Sequence, residues 1–104
     1  MRFHILVTPA EDEPAILTRE QAEAGLAWLH ARLDDGTLTA AEAWPETGGY
    51  MIAEASSLAA LEALLPTYPL RHTVYLEINE AIPLDDGFAV LLDAIDAGKK
   101  RIGA

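Results

Sequence analysis

GGYMIAEASSLAALEALLPTYPLRHTVYLE, residues Gly48 to Glu77, holds a strand, a helix and a second strand with the stop signals between them. From Tyr50 to Ala55 the chain alternates, with Tyr50, Ile52 and Glu54 on one side and Met51, Ala53 and Ala55 on the other, as a half-buried strand does. Ser56 and Ser57 stop it, and either hydroxyl can accept from a free N–H of a first helical turn. Leu58, Leu61, Leu64 and Leu65 then stripe one helical face. Pro66 closes the helix because it lacks an N–H and disfavours helical geometry in the residue before it, and Pro69 repeats the signal. From His72 to Ile78 alternation returns, setting His72, Val74, Leu76 and Ile78 against Thr73, Tyr75, Glu77 and Asn79.

Upstream, Thr37 to Trp44 reads as a less hydrophobic strand suited to a sheet edge, with Leu38, Ala40, Glu42 and Trp44 on one face. Pro45 to Gly48 joins it to Tyr50 as an antiparallel hairpin. Phe3 to Thr8 is the first strand, with His4, Leu6 and Thr8 opposite Phe3, Ile5 and Val7, and Pro9 ends it. Ala10 to Ile16 reads as an acidic loop. Thr18 and Gln21 stand at capping-box spacing ahead of a helix striped by Ala22, Leu26, Leu29 and Leu33 and closed by Gly36. Gly25 within that helix is a weak spot or a close packing point.

The order is strand, helix, strand, strand, helix, strand. This is the split βαβ pattern of ferredoxin-like α+β domains, a four-stranded antiparallel sheet with two helices on one face and the first and third strands central. After Pro83 a further helix is expected, capped by Asp85 or Asp86, striped by Phe88, Leu91, Leu92 and Ile95, and ended by Gly98. Lys99, Lys100 and Arg101 would complement its negative end. It is read as packing on its own subunit or across a dimer, with a lid over a pocket as the alternative. The chain is therefore one domain over residues 1–104, a core at 1–82 and a helical extension at 83–104.

Composition narrows the function. The 104 residues suffice for a single core, and 51% of them are hydrophobic. Mean hydropathy of +0.13 argues against disorder. A formal charge of −10 argues against nucleic acid or an anionic membrane as partner. The chain has no cysteine, so disulfides and thiolate catalysis are excluded. Met1 to His4 enters a strand directly and no apolar run reaches the roughly 20 residues of a membrane span, so a cytoplasmic setting is expected. No histidine pair has metal-ligand spacing, no metal is expected, and Gly48-Gly49 is a turn rather than a phosphate loop.

The sheet face opposite the helices would carry His4, Leu6, Thr8, Glu42, Trp44, Tyr50, Ile52, Thr73, Tyr75 and Glu77. That face is too aromatic and too apolar to meet only water. A second copy is the economical cover, two sheets facing one another around a pocket as a dimeric α+β barrel.

Phe3-His4 in the first strand, Gly48 and Tyr50 opening the third, Ser57, Leu61 and Leu65 in the second helix, Pro69-Leu70, and Glu77 give the chain a resemblance to the muconolactone isomerase family. The resemblance runs from Phe3 to Ile78 and implies a ferredoxin-like subunit, a homodimer or a ring of dimers, and cofactor-free movement of a proton between carbons of an unsaturated lactone. The family's lysine two residues after the first-strand histidine is Leu6 here, and its lysine-rich first helix carries Glu20 and Glu23. A carboxylate-bearing lactone calls for a cation. A neutral, apolar or aromatic ligand is therefore expected, held by Trp44, Tyr50 and Tyr75, with Leu6, Ile52 and Thr73 also lining the face.

A proton shift beside a carbonyl needs a base and a donor to the developing oxyanion. His4, approaching Glu77 and Glu54, would move protons, and Tyr50 or Tyr75 would donate. The bland readings are a structural His4, and Glu77 ion-paired to Arg2 or Arg71. Two functions remain in view: a cofactor-free isomerase-like or cyclase-like enzyme acting on a small unsaturated carbonyl or lactone compound, and a non-catalytic dimeric module that binds a small molecule or a partner.

Overall fold

The computed structural model describes residues 1–10 and 17–98. Strands β1 (Arg2–Pro9), β2 (Leu38–Ala43), β3 (Gly49–Glu54) and β4 (Val74–Ala81) form one antiparallel sheet in the order β2-β3-β1-β4. With helices α1 (Arg19–Asp35), α2 (Leu58–Leu64) and α3 (Leu84–Asp96) this is the ferredoxin-like α+β arrangement. The first and third strands are central, as the element order requires.

Alternation places the core on the helix side. Phe3, Ile5, Met51 and Ala53 bury there with Leu38, Leu61 and Leu65, and Val7, Trp28, Leu29, Leu76 and Ile78 pack around them. Each such aliphatic or aromatic burial contributes roughly 1.5–3 kcal/mol. Ser57 caps α2 by accepting from Ala60 N–H at 3.1 Å, and of the α2 stripe Leu61 and Leu65 are buried while Leu58 is exposed. Pro66 turns the end of α2 into a 3-10 turn, Leu65–Thr67.

The α1 start is a complete capping box: Thr18 Oγ1 accepts from Gln21 N–H at 3.1 Å and Gln21 Oε1 accepts from Thr18 N–H at 2.9 Å. Thr18→Ala is expected to cost about 1 kcal/mol and to lower the melting temperature by roughly 4–8 °C. Calorimetry of the variant checks this; an unchanged transition would mean that other contacts hold the helix start.

Four expectations are corrected. The α1 stripe is rotated, for Gly25, Trp28 and Leu29 turn inward while Leu26 and Leu33 are exposed. Trp28 sets the rotation, donating from Nε1 to Thr67 Oγ1 at 3.0 Å and packing at a tilt on Tyr68 with ring centroids 5.1 Å apart. Gly25 is the close packing point, since a Cβ there would lie 2.7 Å from Leu70 Cδ1.

In β2, Leu38 pairs with Ala53 and Ala40 with Ile52, so Thr39 is an extra residue on that strand. The bulge flips the pattern: Leu38 enters the core while Glu42 keeps the open face. The last strand begins at Val74 rather than His72, because Arg71–Thr73 forms a 3-10 turn after Pro69, and it runs on to Ala81.

No side chain caps α3, which follows Pro83; Asp85 and Asp86 lie inside its first turn and complement the helix's positive end by charge. Among the described residues little packs on this helix: none of its residues is buried, Leu84, Phe88, Leu92 and Ile95 are all exposed, and Leu91 and Ala94 are half-buried. With α3 standing off the sheet, the radius of gyration is 17.3 Å, against about 13 Å for a compact domain of this size. Lys99 to Arg101, and the loop from residue 11 to 16, lie outside the described residues. Among the described residues no helix is long and apolar enough to cross a membrane.

Candidate functional site

Strand register assembles the open face. His4 lies between Ile52 on β3 and Asn79 on β4, Leu6 between Tyr50 and Glu77, and Thr8 beside Tyr75. Across the hairpin, Glu42 faces Tyr50, with Trp44 N–H donating to Gly48 O at 2.9 Å to close the loop. The His4 and Tyr50 rings stack with centroids 5.6 Å apart and planes 5° from parallel. Trp44 also contacts Tyr50, with centroids 5.6 Å apart and planes at 38°. Three rings from β1, β3 and the hairpin thus form one continuous platform, with Leu6 and Ile52 as its apolar floor.

Tyr50 is anchored at its tip, where its hydroxyl donates to Glu42 Oε1. That hydrogen bond raises the phenol above its ordinary range, with desolvation and the Glu42 charge adding to it. At neutral pH the group is a neutral phenol whose proton is engaged.

The expected acid and base residues separate. Glu54 does not meet His4; its Oε1 lies 2.8 Å from Arg2 Nε, because the register sets Arg2 opposite Glu54. Both side chains are exposed, so the pair orients the strand end more than it stabilises it. Glu77 stands diagonally from His4, and diagonal neighbours are roughly 7–8 Å apart, a span that a small ligand can bridge. Arg2 is engaged by Glu54 and Arg71 Nη1 donates to Val74 O at 3.1 Å, so neither described arginine takes Glu77. Thr73 lies in the turn ahead of β4, where its hydroxyl donates to Leu70 O at 2.8 Å, which removes it from the expected ligand face.

On the helix side lies a cavity of ≈ 260 Å³ between α1 and strands β1 to β3. Leu26, Leu29, Leu33, Met51 and Tyr68 line it, and His30 is the imidazole at its wall. The exposure of Leu26 and Leu33 is thereby explained, since both border this opening. Burial pushes the Tyr68 phenol up.

His30 and Asn79 carried no role in the sequence reading, and the contact between Glu42 and Tyr50 was not anticipated. His30 shares the α1 face of Leu26 and Leu33 at i, i+4, i+7 spacing, a signal present in the pattern. The Glu42 and Tyr50 pair follows from counting inward from the hairpin loop. Asn79, across from His4, was one of the alternating polar positions of the last strand.

No protein-family model matches the sequence, and no curated protein matches it significantly. In three dimensions the chain is similar to muconolactone isomerase solved at 3.3 Å resolution, with a TM-score of 0.63 and 22% identity over 80% of this chain and 90% of that one. It is also similar to 5-chloro-2-hydroxyhydroquinone dehydrochlorinase from Burkholderia phenoliruptrix in complex with 2,5-dihydroxybenzoquinone. There the TM-score is 0.60 and the identity 14%, over 83% of this chain and 98% of that one. Both neighbours are small-molecule enzymes, and the chain has the fold of muconolactone isomerase.

Proposed function

We propose that this chain is an enzyme that moves protons on a small, neutral, unsaturated ring compound bearing carbonyl or lactone oxygen, without a cofactor, on the open face of its sheet. The observation that carries the reading is the ring platform of His4, Tyr50 and Trp44 with a carboxylate, Glu77, diagonal to the imidazole. The platform takes the flat face of a ligand. His4 removes a proton from a carbon beside the carbonyl, the Asn79 amide next to it donates to the enolate oxygen, and the His4 imidazolium returns the proton elsewhere on the ring while the Glu77 carboxylate favours the charged imidazole. Tyr75, across from Thr8, bounds the face. The fold neighbours, an isomerase of a lactone and a dehydrochlorinase holding a hydroxyquinone, support this substrate class by analogy of fold.

His4→Ala and Glu77→Gln are each expected to lower the rate of deuterium uptake from solvent, across a panel of lactones and hydroxyquinones, by about 10²-fold. Unaltered rates in both folded variants would remove the assignment. Saturable binding without exchange in the parent protein would instead favour a binding module.

The ≈ 260 Å³ cavity favours a second reading, in which ligand enters beneath α1 and His30 is the base. A loss of rate on His30→Ala with His4→Ala unaffected would select it.

A twofold partner completes the first reading. Open face and α3 are both unpartnered apolar surfaces of one chain, and a second copy covers both and encloses the platform.

A further inference from the structure

Resting on the open-face reading above, we propose that Glu42 and Tyr50 form a recognition site for a ring hydroxyl, so that the ligand is a phenol or enol whose O–H donates to this pair.

The argument begins with what the pair has left to offer. An ionised carboxylate only accepts hydrogen bonds, and a phenol has a single proton. Tyr50 donates that proton to Glu42 Oε1. What remains outward is a lone pair on the Tyr50 oxygen and the second oxygen of Glu42. Both are acceptors. The expected role of Tyr50 as donor to an oxyanion is therefore replaced by the opposite one.

No arginine among the described residues offsets this. Among the described residues Arg2 is held by Glu54, Arg19 by Glu23 and Arg32 by Asp35, and Arg71 donates to the backbone of Val74. A ligand carboxylate or phenolate that approaches these two groups meets the Glu42 charge and a lone pair. A neutral hydroxyl meets two acceptors, one of them ionised.

The rings fix the geometry. Tyr50 is in ring contact with both His4 and Trp44, each 5.6 Å away between centroids, and its tip is tied across the hairpin to its register partner. The acceptor pair therefore stands at the rim of a flat aromatic surface, placed for a hydroxyl on the edge of a ring lying on that surface.

Titration calorimetry with hydroquinone and with its dimethyl ether tests this, because the two ligands share a ring and differ in the O–H. The parent protein is expected to bind hydroquinone roughly 10-fold or more tightly than the ether, as a hydrogen bond to a charged acceptor supplies. In Glu42→Gln that ratio is expected to fall to about 3-fold or less, since the charge is lost and an acceptor oxygen becomes an N–H donor, whereas Tyr50→Phe exchanges the phenol lone pair for the freed Glu42 Oε1 and keeps the ratio. Equal affinity for both ligands in the parent protein, or a ratio that survives Glu42→Gln, overturns the hydroxyl site and leaves the platform standing. Binding of neither ligand overturns the open-face reading itself, and the proposal with it.

Discussion

Replacing Phe88 and Leu92 together by glutamate is expected to weaken self-association by about 10³-fold or more while leaving the melting behaviour of the isolated subunit unmoved. The two parts of this expectation come from one fact. Phe88 and Leu92 are both more than half exposed in their own subunit, so they contribute little to the stability of the single chain. In a twofold pair the face is used twice, and four such side chains bury at most roughly 6–12 kcal/mol of apolar surface. Ordering and docking consume part of that, but about 4 kcal/mol already corresponds to 10³-fold in dissociation constant. A membrane is a poor alternative cover: α3 carries Asp85, Asp86, Asp93 and Asp96 and no lysine or arginine, so an anionic surface repels it. Sedimentation velocity over a concentration series checks the result. A parent protein that stays monomeric throughout would remove the dimer, and identical association in the double variant would remove α3 from its interface.

Gly49→Ala is expected to be strongly destabilising for a single added methyl. A Cβ at Gly49 would lie within van der Waals exclusion of Glu42 O and 2.9 Å from Ala43 Cα, and both obstacles are backbone of the paired strand. Side chains can swing aside, whereas a hydrogen-bonded strand cannot do so without losing its ladder. The cost belongs at the upper end of overpacking, about 3 kcal/mol, or roughly 12–24 °C in melting temperature for a domain of this size. Gly36→Ala is the control. There φ is 83° with nothing within 4 Å, so only the left-handed backbone opposes a side chain, at about 1–2 kcal/mol. Calorimetry of the two variants ranks space against conformation; a Gly49 loss no larger than the Gly36 loss would show that β2 can step back from β3. Because Glu42 and Tyr50 meet across this same pairing, Gly49→Ala also separates the two groups of the proposed hydroxyl site.

The order of elements could be read from local chemistry because most boundaries carried their own signal, the start of β4 and the cap of α3 being the exceptions. Thr18 with Gln21, Ser57, Pro66 and Gly36 each act within a few residues of where they stand, and the structure places a cap or a stop at each of them. What could not be read depends on residues far apart in the chain. The rotation of α1 is fixed by Thr67 and Leu70 from the other side of α2, and no periodicity within the helix encodes that Trp28 will win over Leu26. The Arg2 and Glu54 pair arises from register between strands 52 positions apart. For the candidate site, alternation gave the right face for His4, Leu6, Trp44, Tyr50, Ile52, Tyr75 and Glu77, while Thr73 was lost to a turn that Pro69 and Leu70 impose. The Glu42 and Tyr50 contact was within reach of the sequence, since the hairpin loop fixes which residues face each other. The α3 stripe announced that something covers the helix and held no information on what.

The extra residue at Thr39 bears on how copies of this chain meet. β2 is an outer strand of the sheet, and a row of evenly spaced N–H and C=O groups there would template another strand. The bulge breaks that row between Leu38 and Ala40, bending the strand where a neighbour would need it straight. On the opposite rim β4 carries Glu77 and Glu80, so two such rims brought together repel. Neither border of the sheet is fit to be extended. Growth by adding sheet to sheet along their edges, the route to open-ended fibres, is blocked at both ends, and association is steered to the faces, where a pair of copies closes on itself.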